Sequence, residues 1–279
     1  MPFLLASLVA VLAIGCGATN GGVRFDPAPD KYERAPDGPA RPSSQEVAIV
    51  SFVGDATSEL RLTDAQRTKV DAILSALTDK HGPSLLARKT LSVDLARCVE
   101  ANQLDEALLS IDAKNLGDTR AAVSADDARA LSELHALMDP TQRKAFAAGL
   151  IARAEHLKVD DTKTRFATWS YDLQFDAKQR ATIEAKLSDD PTGDASARAE
   201  ESTWDKRLRA TAAAFTEPTF VGDAFDDKDV VDTTKARTAR LVSFLKVVLP
   251  ELTKEQRVRA ASVIRSDAGL PSHGATEAR

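Results

Sequence analysis

With 279 residues the chain is long enough for two ordinary domains with real cores. It is 43% hydrophobic and 28% charged but only 5% aromatic, with 13 Gly, a balance that leans towards all-α structure. A formal charge of -5 disfavours non-specific nucleic-acid binding, and no Lys/Arg cluster interleaved with aromatics reverses that, so no nucleic-acid partner is expected.

The first stretch, Phe3 to Ile14, is apolar and uncharged, too short to span a bilayer and suited to the core of a secretory signal. It ends in Ala13-Ile14-Gly15-Cys16, which resembles a bacterial lipobox. Residues 1–16 are therefore read as a lipoprotein-type signal peptide, with Cys16 the expected lipidation site and a lipid anchor in the membrane. The expected location is the bacterial cell envelope, facing the periplasm. An ordinary signal peptide cut near Gly15 or Ala18 is the alternative. Residues 17–58 form an expected flexible tether, rich in Gly, Pro, Asp and Asn up to about Ser44. It carries one apolar island, Val47 to Val53, read as a short strand or, preferably, a segment packed on the helices that follow.

A five-residue phrase then occurs four times: Leu62-Thr63-Asp64-Ala65-Gln66, Met138-Asp139-Pro140-Thr141-Gln142, Phe175-Asp176-Ala177-Lys178-Gln179 and Leu252-Thr253-Lys254-Glu255-Gln256. Arg follows each Gln. Thr63, Asp139, Asp176 and Thr253 fit helix N-caps, whose side-chain oxygen satisfies an otherwise unpaired first-turn amide. Leu62, Met138, Phe175 and Leu252 stand where a hydrophobic staple forms. Gln66, Gln142, Gln179 and Gln256 stand where a capping box closes. Eight residues beyond each leading residue come Val70, Phe146, Ile183 and Ala260. Four further on come Leu74, Leu150, Leu187 and Ile264. Each phrase thus opens an amphipathic helix.

The phrases are spaced 76 residues apart (62 to 138) and 77 apart (175 to 252), and matching copies lie 113 and 114 apart. That spacing predicts a tandem duplication of a helical unit of about a hundred residues, with boundaries 59–158 and 159–266, then a polar tail at 267–279. In the first unit a helix is expected to run to about Asp79 and break at His81-Gly82-Pro83. A second is expected from Ser84, and a long third from Leu104 through Leu137, bent at Gly117. A fourth follows from Pro140 to about His156. The second unit repeats the scheme: a stop at Asp189-Asp190-Pro191, a helix over about Ala195 to Phe215, and a restart at Phe225-Asp226-Asp227. About four helices per unit make a small bundle or an open hairpin of helices.

A repeated Leu-Thr-x-x-Gln phrase at the starts of first and last helices, behind an export signal, resembles the LTXXQ-motif family of periplasmic stress proteins, the Spy/CpxP-like proteins. Two of the four copies match in full and two keep the cap and the Gln. The resemblance implies a cradle-shaped, commonly dimeric protein that holds unfolded or partly folded envelope proteins without ATP. It also implies that some members dock on the periplasmic domain of a sensor kinase and damp its signalling. Two units in one chain raise intramolecular pairing as the substitute for a homodimer. A metal-responsive sensor or resistance protein and a purely structural lipoprotein are the alternatives.

No catalytic residue, cofactor or metal ligand is expected, and the chain is not read as an enzyme. His81, His135, His156 and His273 are scattered and read as solvated, and Met138 is the only internal Met. Cys98, at helical spacing from Leu91 and Leu95, reads as a buried small hydrophobe. Trp169, Tyr171 and Trp204 read as core packing of the second unit. The carboxylates alternate with Lys and Arg along helix faces and read as solvated surface.

Overall fold

The computed structural model describes residues 49–58, 60–155, 161–188, 192–221 and 230–268. The signal segment with Cys16, most of the tether, His156, the Asp189–Pro191 stop, the Phe225 restart, most of the tail with His273 and the side chain of Trp204 lie outside the described residues. All regular structure among the described residues is helical, so the chain is an all-α protein. The helices are α1 (Ile49–Ser58), α2 (Asp64–Ala101), α3 (Glu106–Ala121), α4 (Ser124–Leu137), α5 (Pro140–Glu155), α6 (Thr162–Asp172), α7 (Ala177–Ser188), α8 (Thr192–Phe215), α9 (Val230–Val248) and α10 (Lys254–Asp267). They belong to one compact unit.

The helix starts at the phrases follow local chemistry, while the continuation of α2 through Pro83 follows packing. α2 opens at the first phrase, but it does not stop at Asp79: it runs for 38 residues straight through Pro83. Proline in a helix interior costs about 3 kcal/mol, because it withholds an N–H and crowds the carbonyl four residues earlier. Side chains on both sides of it are held by tertiary contacts. His81, Ser84 and Ala87 are buried, and His81 bonds to Asp127 on α4. α2 ends instead at Asn102, whose φ of 55° closes the helix by donating to the carbonyls of Cys98 and Val99.

The long third helix is two helices. The break falls at Ala122–Val123, not at Gly117. Gly117 serves a different purpose: a Cβ there would sit 2.8 Å from the Cα of Val231, so the glycine lets α3 and α9 approach closely. The apolar island at the end of the tether is helical where described. Val53 and Ala56 on α1, and Leu60 just beyond it, are buried, so the segment is core rather than tether.

Two hydrophobic clusters fill the interior. One gathers Val53, Val70, Leu131, Leu134, Phe146 and Leu150 from α1, α2, α4 and α5, together with Leu208 and Phe215 from α8. The other gathers Phe166, Trp169, Ile183, Leu245 and Ala260 from α6, α7, α9 and α10. Leu95, Val99 and Leu109 from α2 and α3 complete it. α3 lies along α9, the far part of α2 packs on α10, and α5 packs on both α1 and α8. Arg265 of α10 holds Glu100 of α2 through two hydrogen bonds of 2.6 and 2.8 Å. Those bonds push the guanidinium further above its ordinary range.

Candidate functional site: the paired phrases

Each phrase is a helix start, and its cap geometry is complete. Thr63 Oγ1 accepts from the Gln66 amide (3.2 Å) while Gln66 Oε1 accepts from the Thr63 amide (3.0 Å). The same reciprocal box joins Asp139 and Gln142 (2.9 and 3.0 Å), Asp176 and Gln179 (2.7 and 3.0 Å), and Thr253 and Gln256 (3.2 and 2.9 Å). The leading residues Met138, Phe175 and Leu252 are buried and Leu62 packs on the first cluster, so they anchor the phrases in the core; the fourth helical position that a staple would meet is Arg in every copy.

The phrases also meet in pairs. Gln66 Nε2 donates to Gln142 Oε1 (2.9 Å) and Gln142 Nε2 returns the bond to Gln66 Oε1 (3.1 Å). Each then spends its second N–H on a carbonyl beside the partner phrase: Gln66 on Leu137 (2.7 Å), Gln142 on Arg61 (2.8 Å). Gln179 and Gln256 repeat the arrangement at 2.8 and 3.1 Å, with Glu251 and Leu173 supplying the carbonyls (2.7 and 3.1 Å). In this second pair one extra residue, Gln174 at φ 54°, precedes Phe175 in the left-handed region.

A primary amide has two donors and one oxygen with two lone pairs. Every one of these is used in all four glutamines. Glu could close the capping box but could not donate to its partner, and Asn lacks the reach. The recurrence of Gln therefore reflects two duties, capping and pairing. The Arg that follows adds a third tie in three copies: Arg180 Nε to Phe175 O (3.0 Å), Arg257 to Leu252 O (2.7 Å) and Arg143 Nε to His135 O (3.1 Å). Such a site offers neither nucleophile nor proton relay. It fixes where pairs of helices begin relative to each other.

Sequence reasoning found the phrase residues and their capping role but missed the pairing. The signal for it was the recurrence of Gln in all four copies where Glu would have capped as well. It also misjudged several polar residues. His81 and His135 are buried, not solvated. His81 Nε2 lies 2.7 Å from Asp127 Oδ1. His135 Nε2 bonds Glu217 O (2.9 Å), and its ring stacks on Phe220. Trp169 is in the core, but Tyr171, two residues on, is 60% exposed. Cys98 is buried and free, on the face that enters the second cluster. Asp112 is also buried, with Oδ2 lacking a hydrogen-bond partner; burial first, and then the neighbouring Asp94 carboxylate, raise its pKa above the ordinary value.

Among the described residues, no three His, Cys, Asp or Glu side chains gather as a metal-holding group, and no helix is long and apolar enough to cross a membrane. Comparison with family models, curated proteins and solved structures finds no match for this chain.

Proposed function

We propose that the protein is a non-enzymatic binding protein of the bacterial cell envelope, lipid-anchored through Cys16, that holds unfolded or partly folded envelope proteins, or a sensor-kinase domain, without ATP. The observation that carries this reading is the pairing of the four phrases. They bring the first and last helices of each phrase pair to a common start, and a Leu-Thr-x-x-Gln phrase in those places is what resembles the LTXXQ-motif family. The phrases are structural, so recognition falls to the helix faces between them, and the reading needs no cofactor.

The test is a holding assay. Full mature protein is mixed with several chemically unfolded clients at equal molarity, and their aggregation is followed by light scattering. Slower aggregation of more than one client is expected. Aggregation at the unassisted rate for every client overturns the proposal.

A further inference from the structure

The offset that relates the phrases also relates the core. At 113 residues, Val53 and Phe166 correspond, as do Ala56 and Trp169, and Leu60 and Leu173. At 114, Leu131 corresponds to Leu245 and Leu134 to Val248. In each of these pairs the first residue is in the first cluster and the second residue is in the second cluster. One corresponding pair breaks this pattern, and it breaks it symmetrically. Leu95 on α2 and Leu208 on α8 are 113 apart, yet Leu95 lies in the second cluster and Leu208 in the first.

We propose that the chain is a joined pair of reciprocal partners, in which residues 49–155 and 162–268 each complete the other's core, the first with the end of α2 and the second with the end of α8. The interaction surface is the face of α2 bearing Leu95 and Val99, with Leu109 beside it. Its counterpart is the face of α8 bearing Leu208 and Phe215. The partner is the complementary half of the same chain.

The ends of the exchanged helices are anchored in matching ways. Beyond α2, Leu104 packs on the second cluster; beyond α8, Phe220 packs on the first. Phe215 stands 4.4 Å from the ring of Phe146, and Glu217 O receives both His135 and Arg143. Across the other junction run the Arg265–Glu100 pair and the Lys246–Glu106 bond (2.9 Å). Without its partner, each half has an open core where a buried Leu should be. That is the condition for obligate pairing, since an exposed cavity of this kind forfeits both transfer and packing energy.

The experiment uses the full chain with a site-specific protease sequence inserted between Leu157 and Lys158, cut after folding. The halves are expected to co-elute at the mass of the uncut protein, with a melting temperature that rises with protein concentration only after cutting. When cut protein labelled with heavy nitrogen is co-refolded from urea with unlabelled protein, native mass spectrometry is expected to show mixed-mass pairs. Leu95→Ala or Leu208→Ala in the cut protein should weaken pairing by at least about thirtyfold, equivalent to about 2 kcal/mol. Halves that separate as folded species, or fail to mix, or pair equally well with either substitution overturn the proposal. If the inserted sequence prevents folding, native-state hydrogen exchange on the unaltered chain decides. Residues 95–99 should open together with α9 and α10. Opening of 95–99 with α5, independently of the second half, overturns the proposal.

Discussion

Replacing Gln142 by Glu separates the two duties of the phrase. The carboxylate still accepts from the Asp139 amide, so the capping box survives at this end. It cannot donate, so the bonds to Arg61 O (2.8 Å) and Gln66 Oε1 (3.1 Å) are lost, and three oxygens face one another without a proton between them. Two lost hydrogen bonds cost about 1–3 kcal/mol, and because Arg61 is exposed, water takes up its freed carbonyl and no burial penalty is added. A loss of roughly 1–3 kcal/mol is expected at pH 7, which for a chain of this size lowers the melting temperature by about 2–12 °C.

The pH dependence gives the sharper test. Neighbouring oxygens and partial burial hold the introduced carboxyl above the ordinary Glu range in the folded state. A group whose folded pKa is raised contributes stability that is present below its unfolded value, about 4.3, and lost as pH rises through the folded value. Once protonated, the introduced carboxyl can donate one of the two lost bonds. The gap between variant and wild type should therefore narrow as the pH is lowered from 7 to 4, as measured by circular-dichroism melts. Gln142→Met, which removes both duties and carries no charge, should show a gap that does not change with pH. A Gln142→Glu melt within about 1 °C of wild type at pH 7, or a gap unchanged at pH 4, refutes the second duty of the glutamine.

Gly117→Ala should destabilise by about 1–3 kcal/mol because its Cβ would press on the Val231 backbone, whereas Gly54→Ala, with open space around it, should gain up to about 1 kcal/mol in urea melts. Asp112→Asn should raise the melting temperature at pH 7. The raised pKa of Asp112 means its contribution is favourable below the unfolded value of about 3.9 and is lost as pH rises, so the gain should fade as the pH approaches 4. His81→Ala should cost about 2–4 kcal/mol by leaving Asp127 without its buried partner, read by the same melts.

The helix starts at the four phrases were legible in the sequence because a cap is a local device, whereas α4, which opens after Val123 without a side-chain cap bond, was not. Thr63, Asp139, Asp176 and Thr253 each state their role within five residues. Helix continuity was not legible. His81-Gly82-Pro83 has every local mark of a break, and only the burial of His81 and Ser84, with His81 bonded to an α4 residue 46 positions away, carries α2 through it. The same limit explains the misread histidines and Asp112, whose surroundings lie on other helices or other turns. An amphipathic stripe says that a face is buried and not what buries it. Leu91, Leu95 and Cys98 read correctly as a core face, but nothing in their spacing says that the core belongs to α9 and α10. The candidate site divides in the same way. Its residues could be named from the sequence, but the Gln–Gln contact, across 76 and 77 residues, could not.

The locks and the exchange share a core, and that couples them in a way that neither would show alone. Gln66 and Gln142 fix the starts of α2 and α5, and the side chains those helices bury, Val70, Phe146 and Leu150, form the cluster that receives Leu208 and Phe215 of α8. Loosening the first amide pair therefore loosens the seat of a helix that lies well beyond Gln142 in the chain. Leu95 and Val99 are seated in the other cluster, behind the Gln179–Gln256 pair, and keep their packing. In Gln142→Glu at pH 7, amide exchange should accelerate in the last turns of α8 by more than in residues 95–99. In Gln179→Glu the order should reverse. Equal acceleration of both segments in either variant would mean that the two clusters open as one and that each lock does not serve its own core.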